Sequence, residues 1–458
     1  MLFHTWTFAL FFLVVYPVYW LLKDTRFRLP WLLAASYVFY GWWNPLYLIL
    51  ILWSTTVDYV AVSAMARGGR RKRWLWLSIV NNLGLLGFFK YGAFVTENLN
   101  ALLAWAGMPY EIAEPGFLLP VGISFYVFQS MSYTIDYYRG QVDRELSFVR
   151  YATFVSLFPQ LVAGPIERAR NLLPQLRSAP AITRHDVADG LSLFVVGLFK
   201  KLALADYLAL YVDPVYASPG RFEAPALVLA TLAFGWQIYF DFSGYTDMAR
   251  GVGRMMGLRL MLNFNNPYLA TGLGDFWRRW HISLSTWFRD YVYIPLGGSR
   301  RGEVATYRNI CLTMLISGLW HGAAWTFVAW GALHAFGYSL TRGLERSRVY
   351  REQVPRFVKQ VFTFSFVMFA WIFFRAETVS DAWIVVHGIS AFAAADPRCP
   401  LLMLGLVGSV WLYQYLYESP ARSILRPAPV RCGLAVAMVF YLALFAASGD
   451  QPFIYFQF

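Results

Sequence analysis

The sequence predicts an all-α polytopic membrane protein, with about ten spanning helices and re-entrant or interfacial helices between them. Three observations predict it. Of the 458 residues, 58% are hydrophobic and only 14% charged, whereas a soluble domain carries roughly a quarter charged residues. The apolar residues fall in blocks close to the ~20 residues that a helix needs to cross a bilayer. Short Arg-rich or Pro/Gly-containing connections separate these blocks. One multi-span unit over residues 1–458 follows, not several soluble domains.

The chain opens MLFHTWTFALFFLVVYPVYWLL, with no basic region ahead of the apolar run, and is read as a retained first span. Candidate spans are 7–22, 30–43, 46–65, 74–89, 117–138, 187–210, 224–248, 357–374, 400–417 and 432–448. Arg67, Arg70, Arg71, Lys72 and Arg73 mark a cytoplasmic connection, while 97–116 has no Lys or Arg and three Glu and is expected outside. Alternation then puts 139–186, 250–308, 342–359 and 421–431 inside, 213–223 and 377–398 outside, and the N-terminus outside. Two apolar stretches, 151–163 and 309–340, must begin and end on the inner side.

The net charge is +13, from 39 Lys and Arg against 26 Asp and Glu. The basic residues cluster between apolar blocks and form no continuous stripe, so positive-inside bias accounts for them and nucleic acid is not an expected partner. Cys311, Cys399 and Cys432 have neither metal-ligand spacing nor an evident mutual pairing, so neither a metal site nor a disulfide framework is expected.

The second inward-returning stretch is the informative one. Arg308 and Arg342 must share a side, yet Gly318, His321 and Gly322 interrupt the apolar run between them. Residues 309–320 would make only about 18 Å of helix, too short for a ~30 Å core. A hairpin with its turn at membrane depth resolves the conflict, and irregular backbone there needs surrounding protein or a water-filled cavity. The turn, in SGLWHGAAW, carries His321. Histidine's ordinary pKa near ~6.5 lets it take a proton from an attacking hydroxyl and return it to a leaving thiolate. A core histidine bonded to backbone or Trp is the plain alternative; an ionisable residue at membrane depth favours the functional one.

A second cluster, GDFWRRWHISLSTWFRDYVYIP (274–295), puts Phe276, Trp280, Leu284, Trp287, Phe288 and Tyr291 on one helical face and Arg278, His281, Ser285 and Arg289 on the other. It reads as an interfacial or re-entrant amphipathic helix at the inner leaflet. Such a helix either rests on headgroups or, with two Arg beside a His, holds the phosphates of a nucleotide-linked acyl donor. In QIYFDFSGYTD (237–247), Asp241 and Asp247 lie near the inner end of a span, where they either fix packing or pair with Arg278 or Arg279. Gly251, Gly253 and Gly257 have the wrong spacing for a dinucleotide fingerprint. His4, His185, His334 and His387 have no comparable company and read as structural. No nucleophile elbow, zincin motif or Walker loop occurs. A His without a protein nucleophile suits direct transfer from a thioester to a hydroxyl, or transfer through an acyl-His.

Four stretches, FPQLVAGPIERARNLLPQL (158–176), YFDFSGYTDMARGVGRMMG (239–257), FWRRWHISLSTWFRDYVYIPLGG (276–298) and LWHGAAWTFVAWGALHA (319–335), together resemble the membrane-bound O-acyltransferase family over residues 41–374. They look most like its bacterial polysaccharide branch, typified by the membrane subunit of alginate O-acetylation and related to teichoic acid D-alanyl transfer. The resemblance implies a ring of helices around a thinned centre with a transmembrane tunnel, His321 at the catalytic histidine and His281 at the second polar position. Asp241, Trp277, Arg278, Trp280, Ser285, Trp320 and Trp325 would line the tunnel or brace these groups. It further implies the inner membrane with a periplasmic N-terminus, acetyl-CoA or another thioester as donor substrate with no bound cofactor, and an exopolysaccharide synthesis complex as partner. A separate periplasmic or membrane-anchored O-acetyltransferase with a serine nucleophile would complete delivery. Two other classes stay open: a transporter or channel for a small solute, since interrupted helices also mark transport pathways, and a scaffold without chemistry of its own.

Overall fold

Long apolar segments must satisfy their backbone hydrogen bonds internally, and here they do so as helices. The computed structural model describes all residues except 117–118, 392, 394–400, 426, 446–452 and 455–458. In chain order the helices are α1 Trp6–Leu22, α2 Arg28–Gly41, α3 Tyr47–Ala66, α4 Arg71–Trp105, α5 Ile123–Tyr138, α6 Phe148–Ser156, α7 Phe158–Leu161, α8 Ala169–Arg177, α9 Arg184–Phe199 and α10 Asp206–Ala217. They continue with α11 Ala224–Met255, α12 Leu273–Arg279, α13 Ile282–Phe288, α14 Glu303–His321, α15 Trp325–Leu344, α16 Arg348–Glu352, α17 Arg356–Arg375, α18 Val379–Ser390, α19 Leu401–Glu418 and α20 Ala428–Phe445. Two π-helical segments, Lys200–Ala205 and Arg289–Tyr293, extend α9 and α13.

Helices overlap the ten expected apolar blocks among the described residues, with 117–118, 400 and 446–448 of those blocks lying outside the described residues. Among the described residues, α3, α11 and α17 are long and apolar enough to cross a membrane by length and composition, and α1 is a shorter apolar helix. Three boundaries differ from expectation. Helix α4 runs on to Trp105, because nothing after Phe89 breaks it, so half of the expected outer loop 97–116 is helical. The connection 377–398, expected outside, contains α18, started by a capping box in which Thr378 and Asp381 bond each other's backbone N–H. Stretch 151–163 becomes the short helices α6 and α7, split at Leu157 ahead of Pro159, and neither is long enough to cross.

The chain forms two compact units, Met1–Leu191 with Ala249–Met261, and Ser192–Met248 with Leu262–Phe458. The first is organised around Asp58 on α3, fully buried, which accepts hydrogen bonds from Ser78 Oγ at 2.5 Å and Asn82 Nδ2 at 2.9 Å on α4 and from Ser130 Oγ on α5. Tyr151 of α6 meets Ser130 at 2.9 Å, so one carboxyl gathers polar groups from three neighbouring helices. The second has an aromatic core in which Phe276, Trp280, Trp330, Trp371 and Phe374 are all buried. The candidate site lies within this unit.

Candidate active site

Helix α14 has nineteen residues, about 28 Å at 1.5 Å per residue, and α15 has twenty, about 30 Å. The hairpin expected from Arg308 and Arg342 is present, but its first arm begins at Glu303, not at residue 309, so it is not the short arm that the sequence suggested. Each arm approaches the thickness of a bilayer core. The chain reverses at Gly322–Ala324, where residues 322 and 324 are extended. A Cβ on Gly322 would lie 2.0 Å from the Phe327 ring, so a side chain there would displace that ring.

His321 is the last residue of α14 and is 4% exposed. Its ring centroid lies 5.0 Å from Trp320, 5.1 Å from Trp330 and 5.2 Å from Phe374. Trp320 also packs on His281, with centroids 6.2 Å apart, so one indole touches both candidate imidazoles. Trp330 in turn contacts His334 at 4.5 Å, which places that histidine in the same fully buried aromatic cluster.

The single amphipathic helix expected over 274–295 is broken. Helix α12 ends at Arg279, Trp280 is extended, and His281 takes left-handed φ 42° and ψ 54° before α13 starts. A non-glycine residue in that conformation costs about 1–2 kcal/mol, and such strain gathers at functional sites. The break corrects the predicted faces. His281 does not share a polar face with Arg278; it is fully buried against Phe242 at 4.6 Å, while the Arg278 side chain is 72% exposed. Asn263 Oδ1 lies 3.3 Å from His281 Nδ1.

A cavity of about 370 Å³ opens between α12, α13 and the hairpin of α14 and α15. Trp277, Arg278, Ser285 and Arg289 line it on one side and Thr313 and Ser317 on the other. Arg278 pairs with Asp275 at 3.6 Å and Arg289 with Asp290 at 2.8 Å; exposed pairs of this kind are weak and exchange readily for a stronger anion. Neither imidazole lines the cavity. Ser317, on its wall, stands one helical turn before His321, about 6 Å along the axis.

The other expected residues fall elsewhere. Trp280 is 1% exposed and stacks on Phe276 at 5.6 Å, a core position away from the cavity. Trp325 opens α15 and is 58% exposed. Asp241 and Asp247 pair with lysines and not with Arg278 or Arg279: Lys201 meets Asp241 at 2.9 Å and Asp206 at 2.8 Å, and Lys200 meets Asp247 at 2.7 Å. Arg279 binds Asp275 at 3.1 Å and Glu418 at 2.8 Å instead. The π-helical turn at Lys200–Ala205, in which Asp206 N–H donates to the Lys201 carbonyl, sets up the lysine pairing. The adjacent lysines in LFKKLALAD were the available sequence signal; Asn263 had none.

Residues 139–380, which contain all four motifs singled out in the sequence, match the model for the membrane-bound O-acyltransferase family. The chain belongs to this family. This membrane-bound O-acyltransferase is 43% identical over 397 residues to the probable alginate O-acetylase AlgI of Azotobacter vinelandii, covering 86% of this chain and 78% of that one. It is 37% identical over 397 residues to the peptidoglycan O-acetyltransferase of Helicobacter pylori, covering 80% and 74%. With the teichoic acid D-alanyltransferase of Streptococcus thermophilus the acyltransferase shares 30% identity over 233 residues, covering 47% and 55%.

Proposed function

We propose that this acyltransferase takes an acetyl group from a cytoplasmic thioester, acetyl-CoA, and delivers it across the inner membrane to a hydroxyl, for O-acetylation of an alginate-like exopolysaccharide. The supporting observation is that one cavity, rimmed by Arg278 and Arg289, is walled by the two elements that carry His281 and His321. Guanidinium pairs suit the phosphates of a nucleotide-linked thioester. The relatives named for alginate and peptidoglycan O-acetylation support acetyl as the group and a cell-envelope glycan as its destination. Delivery there calls for a periplasmic or membrane-anchored transferase with a serine nucleophile, working with the synthesis complex.

In direct transfer, His321 takes the proton of the acceptor hydroxyl as its oxygen attacks the thioester carbonyl; the C–S bond breaks and the thiolate leaves with that proton. In the two-step form, the imidazole nitrogen accepts the acyl group, the thiol leaves, and the hydroxyl then collects the acyl group while its proton returns to the ring. Trp320, Trp330 and Phe374 surround the ring. The ring is 4% exposed and does not line the cavity, so access from there requires the groups around it to rearrange.

The test is purified protein in liposomes with radiolabelled acetyl-CoA and candidate acceptors. His321→Ala is expected to lower transfer by about 10²–10⁴-fold, the range for a general base, with unchanged thermal stability and partner binding. Unchanged transfer would leave a scaffold, and flux of intact solute without acyl transfer would indicate a transporter.

A further inference from the structure

We infer that Asn263 sets the tautomer of His281, holding the proton on Nδ1 so that Nε2 carries the lone pair and is the nitrogen that meets substrate or a transferred proton. The inference rests on His281 being a working imidazole of the proposed reaction. Asn263 acts through His281 and is a positioning residue.

The assignment follows from what each atom can do. The side-chain atom of Asn263 that faces His281 also faces the Ser283 backbone N at 3.1 Å and Ser283 Oγ at 2.8 Å. A backbone N–H only donates, so the atom it meets is the amide oxygen and not the amide nitrogen. That same oxygen lies 3.3 Å from His281 Nδ1, and an acceptor opposite a ring nitrogen requires N–H there. The neutral ring then has its lone pair on Nε2.

The backbone holds this arrangement from both sides. Ile282 N–H donates to the Asn263 carbonyl at 2.9 Å, and Asn265 N–H donates to the Arg279 carbonyl at 2.9 Å, so residues 263–265 clamp the break between α12 and α13. The left-handed conformation of His281 swings its ring onto Asn263, and both residues are fully buried. The rings packed on the imidazole include Phe242 at 4.6 Å, Trp320 at 6.2 Å and Phe264 at 6.5 Å. In such an apolar enclosure an aspartate at 263 would bring a buried charge that favours imidazolium. Asparagine orients the ring without placing a charge beside it.

The deciding measurement is nitrogen NMR of ¹⁵N-histidine protein in proteoliposomes, with the His281 signals among the six histidines assigned by their loss in His281→Ala. The neutral wild-type ring should show a protonated Nδ1 and an unprotonated Nε2; the reverse overturns the proposal. Asn263→Leu should redistribute the proton between the two nitrogens and lower kcat about 10- to 100-fold, the usual cost of losing an orienting partner, with KM within about threefold. Ser283→Ala removes a hydrogen bond to the same oxygen but leaves the imidazole contact, and should keep the wild-type tautomer and activity. An Asn263→Leu protein with unchanged tautomer, or a Ser283→Ala loss equal to that of Asn263→Leu, would show that packing of the clamp matters and the proton position does not. Should Asn263→Leu fail to fold, the wild-type and Ser283→Ala spectra still decide. If His281→Ala leaves acetyl transfer intact while the wild-type ring carries its proton on Nδ1, the catalytic reading fails and the tautomer assignment stands.

Discussion

Among single residues, Lys201 carries the heaviest electrostatic demand. Its ammonium serves two carboxylates, Asp206 and Asp241, and all three side chains are 3% exposed. Asp241 also accepts the Ile454 backbone N–H at 2.7 Å. Removing the only cation of this trio strands two buried acids, so Lys201→Met is expected to cost about 3–5 kcal/mol, the range for breaking a buried ion pair. Asp206→Asn takes away the carboxylate in excess and keeps the Lys201–Asp241 pair, and should cost clearly less. Thermal unfolding in detergent checks the order; equal losses for both variants would contradict it. His321→Ala belongs to the same scale, with the opposite expectation of lost transfer and preserved stability.

Secondary elements bring the site together through close approach and through breaks. Helices α14 and α15 meet at glycine: a Cβ on Gly331 would lie 2.6 Å from the Met314 carbonyl oxygen. Backbone cannot give way there as a side-chain tip would, so Gly331→Ala should destabilise the protein by about 1–3 kcal/mol, as overpacking does, and lower transfer by tilting the arm that ends in His321. Between α5 and α6, Glu145 offers a pH test. Burial alone would raise its carboxyl, but the Ser147 N–H, Arg150 at 2.6 Å and Arg177 at 3.1 Å outweigh it and hold the group below its usual value. A folded value below the unfolded one means stability that is present above about pH 4.3 and lost as pH falls through the folded value. Glu145→Gln should therefore show a shallower fall in unfolding temperature between about pH 5 and about pH 3. A fall as steep as that of the native protein would remove Glu145 from the acid response.

At the scale of the whole molecule the proposed chemistry needs donor and acceptor on opposite sides, and the charge of the connections predicts an orientation that labelling can test. In a background without Cys311, Cys399 and Cys432, a cysteine at the exposed Glu111 should react with a membrane-impermeant maleimide in intact cells, and one at Arg70 only after lysis. The reverse pattern would invert the protein and put the Arg278 and Arg289 cavity on the wrong side for acetyl-CoA.

Composition and block length by themselves determined that this chain is helical and membrane-embedded, because a bilayer leaves the backbone few solutions. Four ordered motifs determined its family, and the Arg308 and Arg342 bookends with an interrupted run between them determined the hairpin and singled out His321. Tertiary structure decided what those residues touch. Periodicity assumed one unbroken helix over 274–295, and only packing against Phe242 and the 263–265 segment turned His281 inward. Spacing also cannot show which cation reaches a buried carboxylate, and the pairing of Lys200 and Lys201 with Asp247 and Asp241 is a tertiary result. Local pattern reports helix propensity and one face at a time; partners far apart in the chain are chosen by burial, where an unpaired charge costs more than any local preference.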